Sequence, residues 1–246
     1  MKRLLILGGT GEAVQLAAQT ANLPGLETIT ALAGRTSQPG AVASAVRMGG
    51  FGGETGLIEY LQTMEIDLLI DATHPFAAQI SWNAAGAAAR VGIPRLMLIR
   101  PGWERLSLDN WIEVESIERA VTAIPATAQR IFLTIGRQQL APFGCLTGRW
   151  CLIRSIDPPG ADIILPPGKL LLDRGPFSLA QERQLLRDYQ IQAIVSKNSG
   201  GDATYAKIIA ARELGIPVVT IQRPIAPEGD RVENVSDSIA WLRDRL

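Results

Sequence analysis

The chain has 246 residues, 47% of them hydrophobic and 20% charged, with a formal net charge of +0. These values predict a packed globular core and exclude a disordered chain, and the neutral balance argues against a nucleic-acid or anionic-membrane partner. Two cysteines in no metal-ligand spacing and a single histidine exclude a His/Cys metal site.

Met1-Lys2-Arg3 and a short apolar run open the chain, but the run is too short for a secretory h-region, and a buried strand is expected instead. No run approaches the ~18 apolar residues that span a bilayer, so a cytoplasmic enzyme with free cysteines is expected. Strands are predicted at Arg3–Leu7, Glu27–Leu32, Leu68–Asp71, Arg95–Ile99, Arg130–Thr134, Ala193–Ser196 and Val218–Ile221. Their Leu, Ile and Val run almost unbroken rather than alternating, as in strands buried on both faces of a parallel sheet. Helix-period stretches lie between them, at Glu12–Ala21, Ile80–Val91, Leu179–Tyr189 and Thr204–Leu214. Strand and helix in alternation predict an α/β fold of doubly wound parallel sheets.

One phrase occurs twice. Gly92-Ile93-Pro94 leads into one strand and Gly215-Ile216-Pro217 into another. Each reads as a helix end with a left-handed glycine cap, followed by a strand start. The repetition predicts two similar Rossmann-like halves with a crevice between them. The pattern lapses between Trp103 and Ile112, which sets the expected domains at 1–105 and 106–246, the first for the dinucleotide and the second for substrate contacts. Asp157–Gly168, with Pro-Pro-Gly at both ends, is expected to be a loop or lid. No coiled-coil seam is present, and a monomer is expected.

The first strand runs directly into Gly8-Gly9-Thr10-Gly11-Glu12 and then into a helix. Glycines there let backbone approach a diphosphate, and a helix N-terminus offers free N–H groups and a positive dipole. Thr10 could add a hydroxyl donor. A tight turn with no ligand would read similarly, because the spacing departs from GxGxxG. At the end of the second strand, where NAD-binding halves carry an acid, stand Arg35, Thr36 and Ser37. A guanidinium fork with two hydroxyls suits a 2′-phosphate, which favours NADPH over NADH.

Further polar clusters fall at predicted strand ends, where open α/β sheets bind ligands. They are Asp71-Ala72-Thr73-His74-Pro75-Phe76, Thr134-Ile135-Gly136-Arg137-Gln138, Arg174-Gly175-Pro176-Phe177 and Ser196-Lys197-Asn198-Ser199-Gly200-Gly201, the last followed by Thr204 and Lys207. Any one cation would be read as solvated, and His74 as a helix cap. Four clusters together predict a basic crevice for an anionic ligand.

The ordered set Ile-Leu-Gly-Gly-Thr-Gly-Glu-Ala, Ala-Gly-Arg-Thr, Asp-Ala-Thr-His-Pro-Phe-Ala, Thr-Ile-Gly-Arg-Gln, Arg-Gly-Pro-Phe and Ser-Lys-Asn-Ser-Gly-Gly resembles the precorrin-6A reductase family of cobalamin biosynthesis, whose cobalt-precorrin-6A counterpart shares these motifs. The likeness runs from Leu4 to about Trp241. It implies NADPH-dependent reduction of one double bond in an anionic, tetrapyrrole-derived macrocycle, with no flavin and no metal of the enzyme's own. Gly8, Gly9, Thr10, Gly11, Glu12, Arg35, Thr36 and Ser37 are then expected at the cofactor. Thr73, His74, Arg137, Arg174, Lys197, Asn198, Ser199, Gly200 and Lys207 are expected at the substrate, with His74 and Lys197 as candidate proton donors beside solvent and the substrate's own carboxyl arms. Two rival readings stay open, an NADPH-binding redox sensor and a reductase of a smaller carbonyl or imine. The second lacks its usual Tyr-x-x-x-Lys pair, since Tyr205 stands two residues before Lys207.

Overall fold

A computed structural model describes residues 1–34 and 43–246. Arg35, Thr36 and Ser37 lie outside the described residues. In chain order the elements are β1 (Lys2–Leu7), α1 (Gly11–Thr20), β2 (Leu26–Leu32), β3 (Ala45–Met48), α2 (Gly53–Thr63), β4 (Leu68–Asp71), α3 (Ala78–Val91) and β5 (Arg95–Leu98). Then come β6 (Trp111–Val114), α4 (Ile117–Ala123), β7 (Arg130–Thr134), β8 (Trp150–Ser155), β9 (Gly168–Leu172), α5 (Leu179–Asp188), β10 (Ala193–Lys197), α6 (Ala206–Glu213), β11 (Val218–Ile221), β12 (Asp230–Val232) and α7 (Val235–Arg243).

The described strands form two parallel sheets, ordered β12-β5-β4-β1-β2-β3 and β6-β11-β10-β7-β8-β9. This is the doubly wound α/β architecture expected from the alternation of strands and helices. In the first sheet β1 pairs with β2 on one side and with β4 on the other, Leu4 standing opposite Thr28 and Leu68. Strand order reverses there, and so does the side of the sheet to which each crossover leads. The second sheet repeats the plan, with β7 between β8 and β10.

The unbroken apolar reading of β1 has a direct cause. Leu4 and Ile6 pack on one face with Leu16 of α1 and Ile239 and Leu242 of α7. Leu5 and Leu7 pack on the other with Leu57 and Leu61 of α2 and Ala84 and Ala87 of α3. Alternate side chains thus face different helix layers, and both layers exclude water. The twice-occurring phrase marks equivalent places: Gly92 and Gly215 both take left-handed φ, +80° and +66°, just before β5 and β11. In the second sheet's half, α5 starts with a capping box, Ser178 and Gln181 exchanging side-chain and backbone hydrogen bonds.

The division of the chain departs from the expected one. The compact units are Met1–Pro101 together with Pro224–Leu246, and Gly102–Arg223. Residues 224–246, expected with the second half, instead complete the first, because β12 pairs with β5 and α7 packs its Val235, Ile239 and Trp241 into the first unit's core. Each sheet therefore takes its outermost strand from beyond the other's: β6 follows β5 in sequence but joins β11, and β12 follows β11 but joins β5.

Candidate functional site

In the first unit, the carboxyl ends of β1 and β4 flank the point where strand order reverses. β1 ends at Leu7 and α1 begins at Gly11, leaving three residues for the turn. Gly8 is closely packed, since a Cβ there would come 3.0 Å from Thr30 Cγ2 and 3.1 Å from Leu32 Cδ2. Gly9 is required by conformation, with φ +118°. Gly11 is required by neither, and the space above both Gly9 and Gly11 is open. Bare backbone facing open space at a helix start is what a diphosphate needs for close approach.

Thr10 has a role different from the expected phosphate donor. Its hydroxyl accepts from the Ala13 N–H at 3.1 Å, capping α1, and donates to the Ala72 carbonyl at 2.8 Å. Its one proton is committed to β4's loop, and its contribution is to fix the glycine turn against that loop. Glu12, an anion at the positive end of α1, pairs with Arg100 just beyond β5 at 2.9 Å. The arginine neutralises the carboxylate that would otherwise repel a phosphate at this helix end.

The β4 loop carries the second group. Asp71 is 2% exposed. Its Oδ1 accepts from the Thr73 N–H at 3.1 Å and the Thr73 hydroxyl at 2.6 Å. His74 Nδ1 accepts from the Phe76 N–H at 3.2 Å, the local backbone bond weighed as the alternative to a ligand contact, which places the neutral ring's proton on Nε2. Asp71, Thr73, His74 and Ser81 nevertheless line one side of a shallow pocket open to solvent, whose other side is apolar and comes from Met97, Leu98, Ile99 and residues 224–226. Both functions of His74 are open at once: one nitrogen shapes the turn while the side chain forms pocket wall.

In the second unit the expected residues divide into two groups. Arg137, in a 3₁₀ turn after β7, is half-buried and donates to the Pro158 carbonyl at 3.1 Å. Arg174 is exposed, and Lys197, the last residue of β10, and Ser199, just beyond it, are half-buried. Gly200 is buried at φ +67°. Asn198 and Lys207 are committed internally. Asn198 Oδ1 accepts from the Trp103 N–H at 2.7 Å while its Nδ2 donates to the Trp103 carbonyl at 3.0 Å. Lys207 is 3% exposed, donates to the Thr204 carbonyl at 2.9 Å and lies 4.7 Å from the Trp103 ring centre. Burial, with the Arg154 charge nearby, pushes the Lys207 amine down to about 7, against the pull of Glu182. Direct substrate contact, expected of both, does not match these positions, and each instead holds backbone next to the β10 loop.

Sequence reasoning passed over several residues. Asp71 was legible as the one charged residue closing an apolar strand. Arg100 as partner of Glu12, Arg223 donating to the Asn198 and Ser199 carbonyls, and the buried pair of Arg154 with Glu182 at 2.6 Å depend on contacts between distant segments, which leave no local signal. Among the described residues no group of three or more His, Cys, Asp or Glu side chains is placed to hold a metal ion. Among the described residues no helix is long and apolar enough to cross a membrane.

Two six-stranded parallel sheets, with a glycine turn and helix start at the first sheet's reversal point, define a Rossmann-like α/β protein. The model of the precorrin-6x reductase CbiJ/CobK family matches residues 3–243, and the chain belongs to that family. It is 49% identical to a precorrin-6A reductase of Rhodococcus erythropolis over 98% of both chains. To the precorrin-6A reductase of Rhodobacter capsulatus it is 42% identical over 99% of this chain and 97% of the relative. A cobalt-precorrin-6A reductase of Methanothermobacter thermautotrophicus is 28% identical over 95% of this chain and 81% of its own. The solved structure of a CobK precorrin-6A reductase superposes with a TM-score of 0.92 at 42% identity, covering 99% of this chain and 97% of that one.

Proposed function

We propose that this chain reduces one double bond of precorrin-6A in cobalamin biosynthesis, with NADPH as the reductant. The carrying observation is the 49% identity to a precorrin-6A reductase across 98% of both chains. The cobalt-free macrocycle is favoured over its cobalt form because the precorrin-6A reductases above are 42% and 49% identical, against 28% for the cobalt-precorrin-6A reductase. A cytoplasmic setting is favoured by the two free cysteines, Cys145 and Cys151.

The first unit fits a nicotinamide dinucleotide. Gly9, Gly11 and the start of α1 would hold its diphosphate, with Glu12 neutralised by Arg100, and Arg35, Thr36 and Ser37 would take the 2′-phosphate beyond β2. Bound there, the reduced cofactor supplies a hydride, and the protein's share is positioning and electrostatics. Arg137, Arg174, Lys197, Ser199 and the Gly200 backbone would bind the carboxylates of the macrocycle, with Thr73 and His74 contributing from the β4 loop. Asn198 and Lys207 would act indirectly, by fixing the backbone at residues 103 and 204. Reduction also consumes a proton, for which His74 through Nε2 and the Lys197 ammonium are the candidate donors.

The test is NADPH oxidation followed by absorbance, with precorrin-6A, with its cobalt form and with neither. Turnover with precorrin-6A alone is expected. NADPH binding without turnover on either macrocycle would favour a redox sensor, and faster turnover with the cobalt form would reverse the substrate assignment. Arg35→Ala is expected to bring the affinity for NADPH down toward that for NADH, and equal affinities in the unaltered protein would refute the 2′-phosphate role.

A further inference from the structure

Three charged side chains are buried together in the second unit, against the loops proposed to take the macrocycle. Arg154, from β8, donates to Glu182 Oε1 of α5 at 2.6 Å, and its guanidinium lies 3.7 Å from the centre of the Phe177 ring. Lys207, from the first turn of α6, is 3% exposed, lies 4.7 Å from the Trp103 ring centre and donates to the Thr204 carbonyl. Glu182 Oε2 is buried and has no hydrogen-bond partner among the described residues. A cluster of charges shut away from water is costly, and an isolated buried amine tends to lose its proton.

Each cation touches a different loop segment, and the segments are joined to one another. The Phe177 N–H donates to the Ala203 carbonyl at 3.2 Å, and the Trp103 indole N–H donates to the Gly201 carbonyl at 2.8 Å. A Cβ on Gly175 would come 3.0 Å from the Ala203 oxygen, so Arg174–Phe177 packs closely on the residues before α6. Trp103, the 174–177 loop and residues 198–204 therefore form one hydrogen-bonded layer, with Arg154 against one part of it and Lys207 against another. Arg174, Ser199 and Gly200, proposed above for the macrocycle's carboxylates, belong to that layer.

The charges facing Lys207 are Arg154 from β8 and Glu182 from α5. Elsewhere on these helices Arg183 of α5 pairs with Glu213 of α6, and Arg212 of α6 pairs with Asp109. With Lys207 neutral, the cluster holds one cation and one carboxylate. With Lys207 protonated, it carries an excess positive charge that Glu182 alone cannot cancel. A polyanion bound at the loop layer favours the protonated form, and buried charges are little screened by salt. By linkage, the protonated form favours the polyanion equally. We propose that Lys207 is a positioning residue that takes up a proton as the anionic macrocycle binds, its ammonium holding Trp103 and the Thr204 carbonyl in place under the carboxylates. The proposal rests on the substrate reading above and adds the group through which pH enters it. Since burial holds the free amine at about 7, the uptake belongs to the range above that value.

The experiment is calorimetric titration of the whole chain with precorrin-6A at pH 6, 8 and 9, each in two buffers of different ionisation enthalpy, so that the difference in heat counts protons taken up. The ligand's own carboxylates are ionised throughout this range. If binding raises the Lys207 amine by about one pKa unit, the unaltered protein should take up roughly 0.4 of a proton at pH 8 and less than about 0.1 at pH 6, and its affinity should fall about ten-fold from pH 6 to pH 9. In Lys207→Met the uptake at pH 8 should vanish, and the loss of affinity against the unaltered protein should be greatest at pH 6 and smallest at pH 9. A lysine that only filled space would give the same loss at every pH. Binding without proton uptake at pH 8 overturns the proposal, and so does an uptake that Lys207→Met leaves intact. The first of these is read on the unaltered protein and decides the matter even if Lys207→Met does not fold. Failure of precorrin-6A to bind at all overturns the substrate reading itself, and the proposal with it.

Discussion

At the scale of single residues, the second unit's buried charges illustrate what burial does to a titrating group. Arg154 sits 3.7 Å from the centre of the Phe177 ring and pairs with Glu182, which is 1% exposed and leaves Oε2 without a hydrogen bond. Lys207 is the third charge of this cluster. Its amine titrates near 7 when folded and at the ordinary lysine value, 10.5, when unfolded. Between those values the unfolded chain binds more protons, so stability should rise with pH across that window. Below 7 the slope from this group vanishes, because both states are protonated. The buried thiol of Cys151, pushed up to about 11 from 9.0, has the opposite sign above pH 9, so the range 7 to 9 isolates the lysine. Urea midpoints should climb over that range in the unaltered chain and lose most of that slope in Lys207→Met. A slope unchanged by the substitution would mean that Lys207 stays charged when buried. Glu182→Gln removes the carboxylate paired with Arg154, and unfolding should become easier by about 3–5 kcal/mol, as when one partner of a buried pair is deleted.

At the scale of elements, what was legible in the sequence follows burial. The central strands β1, β2, β4, β7, β10 and β11 stood out because both faces are covered and their buried positions are mostly apolar, with Thr28, Thr30, Asp71, Ser196 and Thr220 as buried polar exceptions. Edge strand β3, Ala45–Met48, escaped notice because its residues are largely exposed and carry no run of apolar side chains. The buried β8 carries Arg154 after its apolar run, a charge whose burial depends on Glu182, a partner 28 residues away. The same distinction applies to the site. The glycine turn is a local feature and was readable, whereas the partner of Thr10 is not. Thr10→Val should lose both the α1 cap and the tie to Ala72, lowering stability by about 1–2 kcal/mol and weakening NADPH binding with it. A urea melt and a titration check the two effects separately, and full-strength NADPH binding would show that the tie does not shape the turn.

At the scale of the whole molecule, the exchange of outermost strands was not legible, because β12 and α7 carry no signal that says which sheet they join. The repeated Gly-Ile-Pro phrase correctly paired β5 with β11 but suggested two contiguous halves. The difference has a measurable consequence. A chain ending at Arg223 loses Val235, Ile239, Trp241 and Leu242 from the first unit's core and leaves β5 with an unpaired edge. It should lose NADPH binding although it retains the glycine turn and Arg35. Binding at the strength of the full chain would mean that the first unit closes without its last segment.

The same connectivity imposes an order on assembly at the ribosome. Domains usually fold as they emerge, the N-terminal one first. Here the second unit, Gly102–Arg223, is one continuous stretch and has every strand it needs before translation reaches Pro224. The first unit begins at Met1 and is completed only when β12 and α7 arrive. The domain that starts first therefore finishes last, and throughout synthesis of the intervening 122 residues its open edge at β5 is a nascent-chain surface for chaperones to cover.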